Sequence, residues 1–346
     1  MRGKGILAFV AVAAVLVMSI AAGCGSDSSS TTTSPSAAAS QSGEPVAIAF
    51  FGFAKANSFA QATFSGIEDY ASKNNATAKF FDGGFSAPTQ VSQIQDAITS
   101  GKYQVFIVQA NDGAAVIPAV EQAIAKDIVV VAEFTPIGTK YDTAEPQVEG
   151  MYFVGDVITD NGVAIAELGL QAAEEAGISE PVIAYLQGMP TLPLDNARTD
   201  AAVSTLEAGG AKVISNLVGG YSQDEGRKVG QDLFAAHPDV NVVIGSAQSI
   251  AGVERVIPAA LKGKVFLVGN GGSTQAVTAV QEGRWFACYY YPEPLAGAKA
   301  AEVGIGVARG ETMPKSVTES SIAEENGFSV MGTKAALEGR TGWYDD

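Results

Sequence analysis

The fold of this chain is most constrained by an alternation of short apolar runs and longer Ala-rich amphipathic segments, with five apolar runs before residue 180 and a second series after it. The apolar runs, rich in β-branched and aromatic residues, are Val46 to Phe51, Ala78 to Asp82, Gln104 to Gln109, Ile128 to Ala132, Met151 to Gly155, Pro181 to Gln187, Lys212 to Val218, Asn241 to Ser246, Lys264 to Gly269 and Arg284 to Tyr291. The segments of helical length between and after them are 57–74, 88–101, 112–126, 159–177, 196–209, 222–236, 249–262, 273–283 and 292–310. Buried strands that alternate with helices form parallel sheets with right-handed crossovers. The sequence therefore predicts an α/β chain with two doubly wound, Rossmann-like parallel-sheet lobes.

Several helix starts carry local capping signals. Ser222 is followed three residues later by Glu225, which is the spacing of a capping box. Ser273 precedes a helical segment directly after a Gly-rich stretch, and Pro292 opens the last one. These signals support the predicted helix boundaries.

The first residues predict export and a membrane anchor. The apolar run Ile6 to Ile20 follows a basic start and ends in small residues before Cys24, as in a secretory signal. This arrangement resembles the bacterial lipobox, in which the Cys is acylated. We expect a lipoprotein signal peptide over 1–23, lipidation of Cys24 and a flexible tether over 24–44. Ala21 stands where Leu is usual, so an ordinary secretory signal is the alternative.

Charge and composition exclude several functional classes. The formal net charge of −16 at pH 7 argues against nucleic acid and anionic membrane surfaces as partners. There are two cysteines; if Cys24 is acylated, only Cys288 remains, so a disulfide framework is excluded and Cys288 is expected to be a buried, inert thiol. The one histidine, His237, has no nucleophile or metal partner at a useful spacing, and no nucleophile elbow or phosphate loop occurs. We expect no enzyme, no cofactor, no metal and a monomer.

The topology places the candidate binding site beyond the carboxyl ends of the strands, where open parallel sheets bind their ligands. Two such sheets that face each other create a cleft between the lobes. Aromatic faces and planar polar groups at these positions are typical of a site for a hydroxylated small molecule. The predicted ligand-binding residues are Phe53, Asn57, Phe59, Gln109, Glu133, Phe134, Asn196, Arg198, Tyr221, Gln248, Asn270 and Tyr291.

A series of motifs resembles the ribose/galactose-type periplasmic sugar-binding proteins. The stretch Tyr221 to Val240 with its His-Pro-Asp-Val ending, the opening Val46 to Phe59 and the stretch Val268 to Gly272 all resemble segments of this family. The resemblance runs from about residue 45 to 315. It implies the type I periplasmic-binding-protein fold, a hinge of three crossings and an ABC permease as partner.

The resemblance also implies a division into lobes and a function. Lobe 1 is expected at 45–156 plus 292–318, and lobe 2 at 157–291 plus 319–346. The expected function is that of an extracytoplasmic, membrane-anchored solute-binding protein that captures a sugar, polyol or sugar derivative and delivers it to the permease. Alternatives are a sensory binding protein that docks on a receptor kinase or chemoreceptor, and a receptor for a non-carbohydrate molecule.

Two departures from the family pattern leave the ligand open. Glu133-Phe134 stands where ribose-type members carry Asp-Arg, and Asn270-Gly271 stands where many carry an aromatic residue and Asp. A pocket that hydrogen-bonds hydroxyls strongly penalises lost partners, so changed partners imply a changed ligand.

The tail from about Asn326 to Asp346 extends past the family's usual end, and its sequence predicts no location for it.

Overall fold

The computed structural model of the protein describes residues 43–346. The predicted signal peptide, Cys24 and all but the end of the predicted tether lie outside these residues. The described part forms two six-stranded sheets with helices on both faces of each.

The strands agree closely with the predicted apolar runs. They are β1 (Val46–Gly52), β2 (Ala76–Asp82), β3 (Val105–Val108), β4 (Val129–Glu133), β5 (Tyr152–Val154), β6 (Val182–Gln187), β7 (Lys212–Val218), β8 (Val242–Ser246), β9 (Phe266–Asn270), β10 (Ala287–Tyr289), β11 (Ser316–Val317) and β12 (Met331–Thr333). The helices are α1 (Ser58–Lys73), α2 (Ala87–Ser100), α3 (Ile117–Ile124), α4 (Ile158–Glu175), α5 (Pro193–Ala208), α6 (Gln223–Ala236), α7 (Ala247–Glu254), α8 (Thr274–Gln281), α9 (Glu293–Ala308) and α10 (Glu319–Glu325).

Each sheet has the strand order of a doubly wound fold. The first sheet runs β11-β5-β4-β3-β1-β2 and is parallel throughout. The second runs β12-β10-β9-β8-β6-β7, and β12 is its antiparallel strand. We call the part built on the first sheet lobe 1 and the part built on the second lobe 2. The predicted fold class is confirmed.

Alternate residues of the central strands face opposite helical layers. In β1, Phe50 packs with α1 and α9, whereas Phe51 packs with α2 and α3. In β6 of lobe 2, Tyr185 packs with α4 and α5, whereas Leu186 packs with α6, α7 and α8. Strands buried on both faces need the continuous apolar runs that the sequence shows.

The chain passes between the sheets three times. It leaves the first sheet after β5, returns to it after β10, and leaves it again after β11. Ile322 of α10 still packs in the lobe 1 core, although the next strand belongs to the second sheet. The expected residue boundaries of the lobes stay a prediction.

The structure corrects two helix predictions. The segment 249–262 is not one helix: α7 ends at Glu254, and a short 3₁₀ helix covers Ala259–Leu261. Pro258 lacks an N–H and disfavours a helical residue before it, so the helix cannot continue. The segment 112–126 becomes helical at Ile117, because the Asp112 carboxylate accepts hydrogen bonds from the Ala114 and Ala115 N–H groups and holds a turn there.

Among the described residues, no helix is both long and apolar enough to cross a membrane.

Candidate functional site

A cavity lies between the lobes, where the carboxyl ends of the two sheets face each other. It holds about 480 Å³ of space free of atoms, part of which is open to solvent. Residues from both lobes line it: Phe53, Asn57, Phe59, Phe85, Phe134, Leu192, Leu194, Arg198, Tyr221, Gln248, Asn270, Tyr291 and Tyr344.

Aromatic rings form most of the wall and contact one another across the lobes. The ring of Phe85 stacks on that of Tyr221 with centroids 6.1 Å apart and planes 9° apart. Tyr291 meets Phe134 edge to face at 5.3 Å and Phe59 at 6.0 Å. Such rings offer flat apolar faces that suit the C–H faces of a ring-shaped ligand.

Two of these rings stand on strained backbone. Phe85 has φ +54° and Phe134 has φ +60°, a left-handed conformation that is rare for bulky residues. The surrounding backbone holds both in place: the Phe85 N–H donates to the Phe53 carbonyl at 2.8 Å, and the Phe134 N–H donates to the Val154 carbonyl at 2.8 Å. Strain of this kind clusters at functional sites, where it aims side chains.

A buried ion pair from lobe 2 supplies the charge at the cavity. The Arg198 guanidinium donates to the Asp195 carboxylate at 2.9 Å, and both side chains are at most 6% exposed. The Tyr221 hydroxyl donates to the same carboxylate oxygen at 2.6 Å. Burial raises the pKa of Asp195, while the Arg198 charge opposes the rise. Arg198 also lies 5.9 Å from the centroid of the Phe134 ring, so this network links the charged and aromatic walls.

Three amide side chains complete the polar wall. Asn57 caps α1 by accepting from the Ala60 N–H at 3.0 Å, so it has a structural role besides its place at the cavity. Gln248 donates from Nε2 to the Ser58 hydroxyl in lobe 1 at 3.2 Å. Asn270 ends β9 and exchanges hydrogen bonds with Asn161.

Nine of the twelve predicted residues line the cavity, and three do not. Gln109 and Glu133 are fully buried beneath it, where Gln109 Nε2 donates to the Glu133 carboxylate at 2.8 Å and Gln109 Oε1 accepts from the Phe53 N–H. Burial raises the pKa of the Glu133 carboxyl to about 8, against the lowering effect of the Gln109 hydrogen bond. Asn196 is exposed on α5 and accepts from Gln187 Nε2 at 2.7 Å.

Four lining residues are absent from the sequence-based prediction. Phe85 follows β2 and obeys the strand-end rule, so the same reasoning would have found it. Leu192 and Leu194 lie just before and within the first turn of α5, where an apolar residue is typical of a core position. Tyr344 belongs to the tail, and no local pattern connects it with the cleft.

Two polar atoms of the cavity wall have no hydrogen-bond partner among the described residues: Arg198 Nε and the Tyr291 hydroxyl. Both are buried, so leaving them unpaired costs free energy that a polar ligand would recover. Over residues 43–346, no group of three or more His, Cys, Asp or Glu side chains is placed to hold a metal ion. The arrangement can therefore orient and hydrogen-bond a small molecule between aromatic faces.

Sequence comparison identifies relatives along most of the chain. A family model described as the periplasmic binding protein domain matches residues 48–312. The ribose import binding protein RbsB of Salmonella typhimurium is 25% identical over 256 residues, which are 74% of this chain and 82% of the relative. The D-ribose/D-allose-binding protein of Pseudomonas aeruginosa is 25% identical over 237 residues, 66% of this chain and 72% of that protein.

Solved structures share the architecture. A periplasmic solute binding protein of an ABC transporter from Actinobacillus succinogenes with bound D-allose matches with a TM-score of 0.71 at 18% identity, covering 85% of this chain and 99% of its own. The Caulobacter myo-inositol binding protein with bound myo-inositol has a TM-score of 0.72 at 17% identity, covering 85% and 95%. With the two doubly wound lobes and their three connections, these matches show that the chain has the type I periplasmic-binding-protein fold and belongs to the periplasmic binding protein family.

Proposed function

We propose that the chain is an extracytoplasmic solute-binding protein that captures a small polar ligand in the interlobe cavity and delivers it to an ABC permease. A sugar, a polyol or a sugar derivative is the proposed ligand class. The names of the relatives, which bind ribose, allose or myo-inositol, support this class. No catalytic step is proposed.

One observation carries the proposal: unpaired, buried polar atoms of Arg198 and Tyr291 stand between aromatic faces supplied by both lobes. A ligand with hydroxyl groups and C–H faces satisfies both features at once. The nine predicted residues on the cavity wall are the proposed ligand contacts. For Gln109 and Glu133 we propose a positioning role, because they hold the backbone of Phe53 from below.

A thermal-shift screen tests the ligand class. The protein is melted with D-ribose, D-allose, D-fucose and myo-inositol, and with amino acids and nucleosides for comparison. A ligand at a hundred times its Kd stabilises the folded state by about 2.7 kcal/mol, which raises Tm by a few degrees. Tyr291→Phe is the matched variant, since its missing hydroxyl has no hydrogen-bond partner among the described residues. We expect it to keep the ligand-free Tm and to lose much of the ligand-induced rise.

A receptor for a non-carbohydrate molecule is the second candidate. Seven of the residues that line this cavity are aromatic, which favours a ligand with an apolar face. A Tm rise with a nucleoside or an amino acid, and none with the four carbohydrates and polyols, would support this candidate and reject the first. Binding of a carbohydrate together with loss of binding in Tyr291→Phe supports the first.

We further propose that Cys24 is acylated and anchors the protein outside the cytoplasm, as the lipobox-like sequence before it indicates. Cys24→Ser is expected to appear in the medium; retention in the membrane fraction would contradict the anchor.

We propose that the protein acts as a monomer that docks on a permease, and not on a sensory receptor. Pull-down of a permease from solubilised membranes, as opposed to a receptor kinase, separates these two partners.

A further inference from the structure

The tail that follows β12 returns to the cleft along lobe 2. Gln281 Nε2 donates to the Leu337 carbonyl at 2.7 Å and to the Arg340 carbonyl at 2.8 Å. The Tyr290 hydroxyl donates to the Thr341 carbonyl at 2.6 Å. These bonds direct the chain from the outer edge of the second sheet toward the loop between β9 and α8.

The tail is anchored at that loop by packing and by backbone hydrogen bonds. The Trp343 ring stacks on Tyr290 with centroids 5.3 Å apart, and the Trp343 backbone N–H donates to the Gly272 carbonyl at 2.9 Å. The Thr274 N–H at the start of α8 donates to the Tyr344 carbonyl at 2.7 Å. Helix starts leave N–H groups without intrahelical partners, so the tail here satisfies one of them.

The Tyr344 side chain lies against the cavity. It is among the residues that line the space between the lobes. Gly271 has φ +141°, and a β-carbon there would lie 2.8 Å from the Tyr344 hydroxyl oxygen. This sequence therefore has Gly at a position where a side chain would displace the tyrosine.

The tail also reaches lobe 1. Ser58, the first residue of α1, donates from its hydroxyl to the Asp346 carboxylate at 3.1 Å. The same hydroxyl accepts from Gln248 Nε2 of lobe 2. The Asp346 backbone N–H donates to Gln275 Oε1 at 3.0 Å, which fixes this residue on lobe 2. A hydrogen-bonded bridge thus joins the lobes through Ser58.

We propose that residues 342–346 form a strap that is part of the binding site: Tyr344 supplies a wall that limits which ligands fit, and Asp346 fastens lobe 2 to lobe 1 in the closed form. The wall function rests on the proposed function, whereas the fastening does not. Opening the cleft requires breaking the Ser58–Asp346 bond, so the strap slows opening and ligand release. A ligand that contacts both lobes binds more tightly to the closed form than to the open form and so favours it. The strap stabilises the same closed form.

A distance measurement tests the fastening without any ligand. Nitroxide labels are placed with Thr77→Cys and Lys212→Cys, exposed positions on the edge strands β2 and β7, in a Cys24→Ser background with Cys288 buried. We expect Asp346→Ala and Ser58→Ala each to increase the population of longer distances. The double variant should match Ser58→Ala and exceed Asp346→Ala, because the Ser58 hydroxyl also accepts from Gln248 of lobe 2. Asp345→Ala, at an exposed neighbour, is the control. Unchanged distances in both single variants would overturn the fastening.

Titration calorimetry with D-ribose, D-allose and myo-inositol tests the wall. For whichever probe the unmodified protein binds, we expect Tyr344→Ala to raise Kd about tenfold, as for a buried aromatic contact. Tyr344→Phe keeps the aromatic ring, so it should stay near the original Kd. An unchanged Kd in Tyr344→Ala would remove it from the site. If none of the three probes binds while a nucleoside or an amino acid does, the carbohydrate proposal fails, and the two Tyr344 variants are then compared with that ligand, where an unchanged Kd in Tyr344→Ala again overturns the wall.

Discussion

Single residues at this cavity combine a structural role with a place on the wall of the proposed binding site. Asn57 caps a helix and faces the cavity, and Phe134 follows a strand in a strained conformation that aims its ring. Glu133, directly before Phe134, is fully buried with one carboxylate oxygen bonded to Gln109 and the other without a partner among the described residues. A carboxyl in such a place is held more easily in the neutral form.

Glu133 makes stability depend on pH. Burial raises its pKa from 4.5 to about 8, so between these values the folded protein keeps a proton that the unfolded chain has lost. The contribution of Glu133 to the free energy of unfolding is therefore complete below pH 4.5 and is lost as the pH rises through about 8. Glu133→Gln keeps an acceptor for Gln109 and carries no charge. Relative to the unmodified protein, we expect its unfolding free energy to be similar at about pH 5 and higher at about pH 8.5 by on the order of a few kcal/mol.

Urea unfolding at the two pH values measures this difference. Other buried carboxyls, among them Glu293 and Glu319, remain in both proteins, and the charge of Glu133 raises their pKa values, so the difference reports Glu133 together with this coupling. Glu207→Gln, at an exposed position of α5, is the control and should leave the difference between the two pH values unchanged. If Glu133→Gln and the unmodified protein lose the same amount of unfolding free energy between the two pH values, the prediction is wrong.

The strand-end rule predicts most of the cavity wall from the amino-acid sequence. It identifies Phe53, Tyr221 and Tyr291, because parallel sheets bring the carboxyl ends of their strands to one edge. The rule also selects Gln109 and Glu133, which lie beneath the cavity and do not line it. It gives the position of a residue along a strand but not how deeply its side chain is buried. Tyr344 lies well beyond the last strand of the second sheet, and only tertiary packing brings it to the cleft.

At the scale of elements, both lobes bring pairs of helices unusually close through glycines. A β-carbon at Gly66 of α1 would overlap the Pro294 carbonyl of α9, and one at Gly297 would overlap the Thr63 carbonyl. In lobe 2, a β-carbon at Gly226 of α6 would overlap the Ser249 carbonyl of α7. These contacts involve backbone, which cannot move aside as a side chain can.

Helix α6 offers a matched test of this packing. At Gly226 an added methyl group would overlap the Ser249 carbonyl, whereas one turn later at Gly230 it would lie 3.0 Å from the Val256 side chain and 3.2 Å from the Val253 Cα. We expect Gly226→Ala to destabilise the protein by about 3 kcal/mol, because overpacking exceeds the gain of about 1 kcal/mol in helix propensity. Gly230→Ala should change the unfolding free energy by less than about 1 kcal/mol. Urea denaturation measures both, and equal effects of the two substitutions would contradict the argument.

Sequence signals predict the elements well where the cause is local. The Ser222–Glu225 pair caps α6 as its spacing predicts: the Ser222 hydroxyl accepts from the Glu225 N–H, while the Glu225 carboxylate accepts from the N–H of Tyr221, one residue before the N-cap N–H that a standard capping box uses. The end of α7 ahead of Pro258 has an equally local cause, although the predicted helix runs past it. The two-residue strand β11 and the antiparallel strand β12 have too little apolar pattern to be recognised without their partners.

At the scale of the whole molecule, one carboxylate joins the three connections between the lobes. Asp156 lies between β5 and α4 and is 5% exposed. It accepts from the Tyr289 hydroxyl at the end of β10 at 2.8 Å. It also accepts from the N–H and the hydroxyl of Ser320, in α10 of the third connection, both at 3.2 Å. The two series of apolar runs predict two lobes, and the family resemblance predicts three crossings. That Asp156 accepts hydrogen bonds from the other two connections follows only from the way the crossings pack together.

We expect Asp156→Ala to weaken both the fold and the control of lobe movement. It leaves the buried Tyr289 hydroxyl and the Ser320 N–H without an acceptor, at a cost of about 1–3 kcal/mol for each group. Tyr289→Phe removes only one of these bonds and leaves Asp156 bonded to Ser320, so its loss in unfolding free energy should be smaller. Small-angle scattering should give a larger radius of gyration for ligand-free Asp156→Ala than for Tyr289→Phe, since the crossings are no longer tied together. Equal stability and equal dimensions of the two variants would mean that the crossings are held by their backbone paths, and that Asp156 only fills space among them.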